Sequence, residues 1–260
     1  MRAKSLRTAF LVVFVSLPLA AQIKDKDLPA YLAGVTERGR AIYAYDQAAW
    51  HGTDAFFELH PDTNGLAHYI CMKTPRGWQV VFPKWNDTHD RLLVAYEAAE
   101  TNTPGNFTAQ RFDRPREGPD ELIGEERALE LALKTFTRPD RAYNAAILPA
   151  SNGNLYVYLY PAQTKDTVWP LGGDVRYTIS ADGKQIIETR QLHKTILDIE
   201  YDPSKSPVAG THTHVLSDVP EDTDVFYVLN RRPMIPEYIG AGKRIFVVST
   251  DGSISFQKLK

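Results

Sequence analysis

Between Ile123 and Arg138 the apolar residues fall at helical spacing, whereas downstream the apolar runs are short, β-rich and closed by turns. Leu129, Ala132, Leu133 and Phe136 stand at i, i+3, i+4 and i+7, the stripe of a helix that buries one face. Glu125 and Glu126 lie in its first turn, where free N–H groups favour carboxylates. Glu130 and Lys134 form a favourable i,i+4 pair, and Pro139 stops the helix. The outward residues Glu126, Arg127, Glu130 and Lys134 suggest no reaction. An amphipathic helix among strands needs a sheet for its apolar face, which makes the chain α+β.

A first helix is expected at about 29–50. Asp27 can cap it, Pro29 fits its first turn, and apolar spacing from Leu32 to Trp50 sustains it. The runs 66–73, 77–83, 91–97 and 107–112 then read as strands with turn residues between them. After the second helix, strands are expected at 143–149, 155–160, 175–180, 185–192, 195–201, 211–216, 225–229, 244–249 and 253–258. Asp182-Gly183 and Asp251-Gly252 are hairpin turns, and 162–173 is a loop. Such short connections exclude parallel crossovers, so the strands should pair mainly antiparallel, packed on the two helices. A faint repeat of helix plus three strands falls at 29–97 and 123–192. The breaker-rich stretch 114–119 reads as a linker between an N-terminal part, 22–113, and a second part, 120–260; the two also fit one continuous domain.

Residues 1–21 read as a secretory signal peptide: Arg2, Lys4 and Arg7, then a short apolar run, then Pro18-Leu-Ala-Ala21. The run falls short of the roughly 20 apolar residues of a membrane span, and no later segment reaches that length. The expected location is periplasmic or secreted, with no integral membrane segment after cleavage. Losing the signal leaves 27 of the 30 Lys and Arg against 32 Asp and Glu. That acidic balance, with no basic cluster, gives nucleic acid no footprint. The single cysteine, Cys71, excludes an intramolecular disulfide and reads as a buried residue of a strand.

The layout of Ile123, Glu125-Glu126, Ala128-Leu129 and Ala132-Leu133, followed by strands to Ala181-Asp-Gly-Lys184, resembles that of PepSY modules. Those are small exported helix-plus-sheet domains, often attached to or inhibiting peptidases. The resemblance covers about 70 residues and implies a binding role, with a protein or peptide partner in a bacterial-type cell envelope.

Thr211-His-Thr-His-Val215 is the sharpest chemical feature. On a strand, His212 and His214 share one face about 7 Å apart, which suits two imidazoles on one metal. The acidic run 217–224 follows, with Asp218, Glu221, Asp222 and Asp224. A divalent metal held by His212, His214 and Asp224 or Asp218 is therefore a candidate, with Glu221 as a base. The pattern is similar to the His-x-His…Ser-x-x-Asp zinc motif of JAMM metallopeptidases. It departs where Val215 replaces Pro, where Glu221 replaces Ser, in a spacing one residue short, in the strand-like run after Asp224, and in the lack of an assignable upstream Glu. Membership is not implied, and metal binding stays open.

Other candidates are weaker. His193 is a lone histidine at a strand end, and His51 with Asp54 reads as a capped helix terminus. Leu171-Gly-Gly-Asp174 lacks the strand–turn–helix setting of a phosphate loop. Tyr156, Tyr158 and Tyr160 share one strand face and could form a ligand or partner surface. With no nucleophile elbow or acid–base set, the leading expectation is an exported, non-enzymatic binding protein. The alternative is a metal-dependent hydrolase at the His212-x-His214 strand. No cofactor other than a divalent metal is expected.

Overall fold

The computed structural model describes residues 23–137, 141–202 and 204–259. The signal segment and Pro139 lie outside them. The spine is α1, Leu28–Phe57, which at 1.5 Å per residue is about 45 Å long. Leu28, Leu32 and Val35 in its first turns pack with α3 (Asp222–Asn230) and with strands β12 (Glu237–Ala241) and β13 (Arg244–Val248). Ile42, Tyr45, Ala49 and Phe56 in its later turns enter a second core. One helix thus joins two cores.

The second core crosses both parts of the chain. β1 (Ile70–Thr74), β2 (Gly77–Trp85), β3 (Leu92–Glu100) and β4 (Phe107–Glu117) form an antiparallel meander in chain order. On β2, Val80 faces α1 and its neighbour Val81 faces Leu122 at the start of α2 (Asp120–Thr135), so both faces of this sheet are covered. β5 (Tyr143–Pro149), β6 (Leu155–Pro161), β8 (Val175–Ile179) and β9 (Ile186–Gln191) form a second antiparallel sheet. Its residues Tyr158, Leu159 and Ile179 join α1, α2 and the first sheet in one cluster. β7 (Val168–Gly172) pairs with β10 (Ile196–Glu200). The last sheet runs β11 (Gly210–Thr213), β12, β13, β14 (Ile254–Lys258), and its β11–β12 pair is parallel.

The class is α+β with mainly antiparallel sheets, as expected, and the differences have physical causes. α2 starts three residues before Ile123, behind Pro119, and ends at Thr135. Glu126 is not on an outer face: it is fully buried and accepts the His68 Nδ1–H at 2.8 Å. Residues 114–117 of the expected linker continue β4, and only Gly118 and Pro119 separate it from α2. Pro115 is tolerated there because β4 is an edge strand with an irregular register beside it. The loop at 162–173 contains β7, and β12 was not foreseen. Val225–Leu229 is helix, not strand. Its β-branched and aromatic residues are all buried, Phe226 against Tyr160 of β6 and the others against α1 and the last sheet, so tertiary burial and a capping box override strand propensity. No helix of the described residues is long and apolar enough to cross a membrane.

Gly39 marks the closest approach of α1 to α3. A Cβ there would stand 2.4 Å from Val225 Cβ and 2.5 Å from the Asp222 carbonyl. Gly39→Ala should lower stability by about 2 kcal/mol, because overpacking outweighs the gain in helix propensity. Gly34→Ala meets only the mobile end of Arg38 and should be neutral or stabilising by up to about 1 kcal/mol. Urea midpoints of the two variants check this. Equal midpoints would contradict the close crossing.

Candidate metal centre

Four side chains converge where the end of the second sheet, the edge of the last sheet and the first turn of α3 meet. His212 stands on β11 and His214 just beyond it. His193 follows β9, and Asp224 is the third residue of α3. One ligand atom from each lies within 4.8 Å of all the others. His193 Nε2 is 3.0 Å from His214 Nε2, which is 3.2 Å from His212 Nε2. Asp224 Oδ1 is 3.1 Å from His212 Nε2 and 3.2 Å from His193 Nε2, and Oδ2 is 3.2 Å from His214 Nε2. A tetrahedron with metal–donor bonds of 2.0–2.1 Å has edges of about 3.3–3.4 Å. Five separations, taken over both Asp224 oxygens, are close to those edges, and the four donors as single atoms all lie within 4.8 Å of one another.

The far nitrogen of each imidazole is already engaged. His193 Nδ1–H donates to Asp174 Oδ1 at 2.8 Å, and His212 Nδ1–H donates to Glu237 Oε1 at 2.9 Å. His214 Nδ1–H donates to the Val219 carbonyl at 2.8 Å. A carbonyl only accepts, so His214 carries its proton on Nδ1. Ionised carboxylates hold the other two rings the same way. All three Nε2 atoms therefore point at one another and at Asp224, where each can hold a proton or a metal. Such carboxylate–histidine pairs orient and strengthen metal ligands.

Local sequence accounts for this placement. Glu221 caps α3, and the Glu221 N–H donates to Asp224 Oδ2 at 2.7 Å. That reciprocal box aims the Asp224 carboxylate, and the helix dipole favours its charge. Glu221 also accepts from Arg190 at 2.7 Å. Gly172, at φ +83°, brings the end of β7 against His193, where a Cβ would lie 3.0 Å from His193 Cβ. Glu237 receives Arg231 on its other oxygen at 2.6 Å.

The electrostatics favour positive charge between the donors. Burial alone would lower the His193 titration, but Asp174 and Asp224 outweigh it and hold the imidazole well above its ordinary range. His212 is likewise pushed up to about 9, burial being outweighed by Asp224 and Glu237. Burial would raise Asp224, yet His214 and His193 hold it well below the usual carboxylate range. Protons and a divalent metal compete for these same lone pairs. Burial pushes Glu221 up to about 7 against the pull of Arg190.

The comparisons identify nothing. No family model, curated protein or solved structure matches the chain. The resemblances to PepSY modules and JAMM peptidases rest on the quoted residues alone. One stated departure from the JAMM pattern does not hold, because Asp224 opens a helix rather than a strand.

The structure brings His212, His214 and Asp224 together and leaves Asp218 outside, exposed beside Gly242. His193, Asp174 and Glu237 join the centre without having been grouped with it in sequence. Only the tight Gly172-Gly173 turn ahead of Asp174 marked a close approach. Tyr158 and Tyr160 are buried, and Tyr156 is half-buried with Arg176 over its ring, so the row forms no open platform. Tyr158 donates to Asp222 and Tyr160 to Asp46. His51 stacks on Trp50 within α1, which runs on to Phe57, so this pair does not end a helix. Cys71 is buried, and burial pushes its thiol up, away from nucleophilic use.

Proposed function

We propose that this chain is an exported, non-enzymatic binding protein built around one divalent transition metal, held by His193, His212, His214 and Asp224. The observation that carries this reading is the convergence of three imidazole Nε2 atoms on one carboxylate, each ring with its Nδ1–H already bonded. Three imidazoles and one oxygen suit zinc first, with iron, nickel or copper as competitors. Export rests on the signal-like segment, and the fold class fits an envelope protein with a protein or peptide partner. The order of helix then four-stranded antiparallel sheet, seen at 28–117 and again from Asp120, supports reading the chain as a duplicated unit.

A hydrolase is the second reading, favoured by the cavity of about 470 Å³ that opens over the three histidines. Among the described residues that line it there is no carboxylate to act as base, and Glu221 is tied to Arg190 and to the helix cap. Binding is therefore preferred over turnover. Untagged protein should purify with about one equivalent of zinc, and His193→Ala or Asp224→Ala should hold less than about a tenth. Wild-type protein with no metal after zinc loading would sink the proposal. Metal-dependent ester or peptide turnover would move it to the hydrolase reading.

A further inference from the structure

The cavity over the metal centre has a definite chemistry. The three histidines line it with only the edges of their side chains, 10%, 6% and 2% exposed for His193, His212 and His214, and the fully buried Asp224 does not line it. A further ligand would therefore approach the centre from the histidine side and not past Asp224, as a four-coordinate site can expand. Leu171, Leu192, Leu197, Val215 and Leu216 line the cavity, with Thr195, Thr211 and Thr213 among them. Of these, Leu197, Val215 and Leu216 are 46%, 76% and 42% exposed, an unusual apolar rim for a surface of this acidity. Lys194 follows His193 and also lines the cavity. Within the centre the metal's two charges and that of Arg231 are balanced by Asp224, Asp174 and Glu237. The Lys194 ammonium then leaves one positive charge facing the cavity.

We propose that this cavity binds an aliphatic monocarboxylate, with its carboxylate toward the histidine side of the centre and beside Lys194, and its chain along the leucine and valine side chains. The inference rests on the metal reading. A neutral ligand would leave the excess charge unmatched, and a short anion would leave the walls wet. One negative charge on an apolar body satisfies both.

Cobalt(II) substitution of the mature protein separates the two readings. Intense visible bands on adding cobalt report the four-coordinate centre itself; if they fail to appear, both readings fall. With the bands present, hexanoate should weaken them saturably as a fifth ligand binds. Its Kd should be at least ~10-fold below that of acetate, because the added methylenes are partly buried. Leu197→Asn, on an exposed strand position, should shrink that preference at least ~3-fold. Lys194→Gln should weaken both acids alike. Bands unmoved by hexanoate, equal Kd values for hexanoate and acetate, or equal effects from hexanol would overturn the inference while leaving the metal centre standing.

Discussion

Stripping the metal with a chelator should lower the unfolding midpoint of the protein by about 10 °C. The centre joins segments distant in sequence, since His193 closes the second sheet, His212 belongs to the last sheet and Asp224 belongs to α3. An ion bound only by the native arrangement stabilises by about 4 kcal/mol when its free concentration is about 1,000 times Kd. For a chain of this size each kcal/mol moves the midpoint by roughly 2–4 °C. Asp224→Ala should show the lowered midpoint from the start and respond to chelator by less than about 1 °C. Its loss includes the reciprocal cap with Glu221, worth about 1 kcal/mol, so it should fall slightly below stripped wild type. His193→Ala leaves that cap intact but strands the buried Asp174 carboxylate, so it too should fall below stripped wild type while responding to chelator by less than about 1 °C. Differential scanning calorimetry with and without chelator checks all three proteins. A wild-type midpoint indifferent to both zinc and chelator would contradict a native-state metal.

The parts of this arrangement that were legible in the sequence are the ones that local chemistry encodes. The His-x-His alternation on a strand placed His212 and His214 on one face, and the acidic run after it contained Asp224. Asp218 stood equally well in that run. What separates them is the helix cap, which turns Asp224 inward and leaves Asp218 exposed. That cap was hidden because Val225-Phe-Tyr-Val-Leu229 has strand composition and becomes helical only when buried between α1 and the last sheet. His193 was illegible for a different reason. It lies 19 residues from His212, and only tertiary packing brings the end of β9 beside β11. Hairpins and the α1 and α2 periodicities were readable because their pairings are local. The parallel β11–β12 pair, which seats His212 beside Glu237, is not local and leaves no such mark.

Asp222→Ala should cost about 3–5 kcal/mol of stability while leaving the metal in place. Asp222 is 1% exposed, two residues from Asp224 in the same helical turn, yet it faces the other way. Its carboxylate accepts from Arg38 Nε at 3.0 Å, Arg176 at 3.0 Å and the Tyr158 hydroxyl at 2.7 Å. It is the joint between α1, α3 and the second sheet. Truncation strands Arg176, whose side chain is 8% exposed and which keeps the Tyr156 ring and a distant contact with Glu188 at 3.8 Å but no close carboxylate. Leaving one buried charge unpaired accounts for most of the loss. Tyr158→Phe removes one bond to a charged group and should cost about 1.5–3 kcal/mol. Arg38→Ala removes the more exposed partner and should cost roughly 1 kcal/mol. Asp222→Asn keeps the shape without the charge and should fall between Tyr158→Phe and Asp222→Ala. Urea titrations give the ranking and zinc analysis gives the dissociation: Asp222 variants should retain about one equivalent, whereas Asp224→Ala loses it. Loss of zinc from Asp222→Asn at full folding would show that the two carboxylates act as one unit. Retention would separate them into a carboxylate that fastens the fold and a neighbour in the same turn that holds the ion.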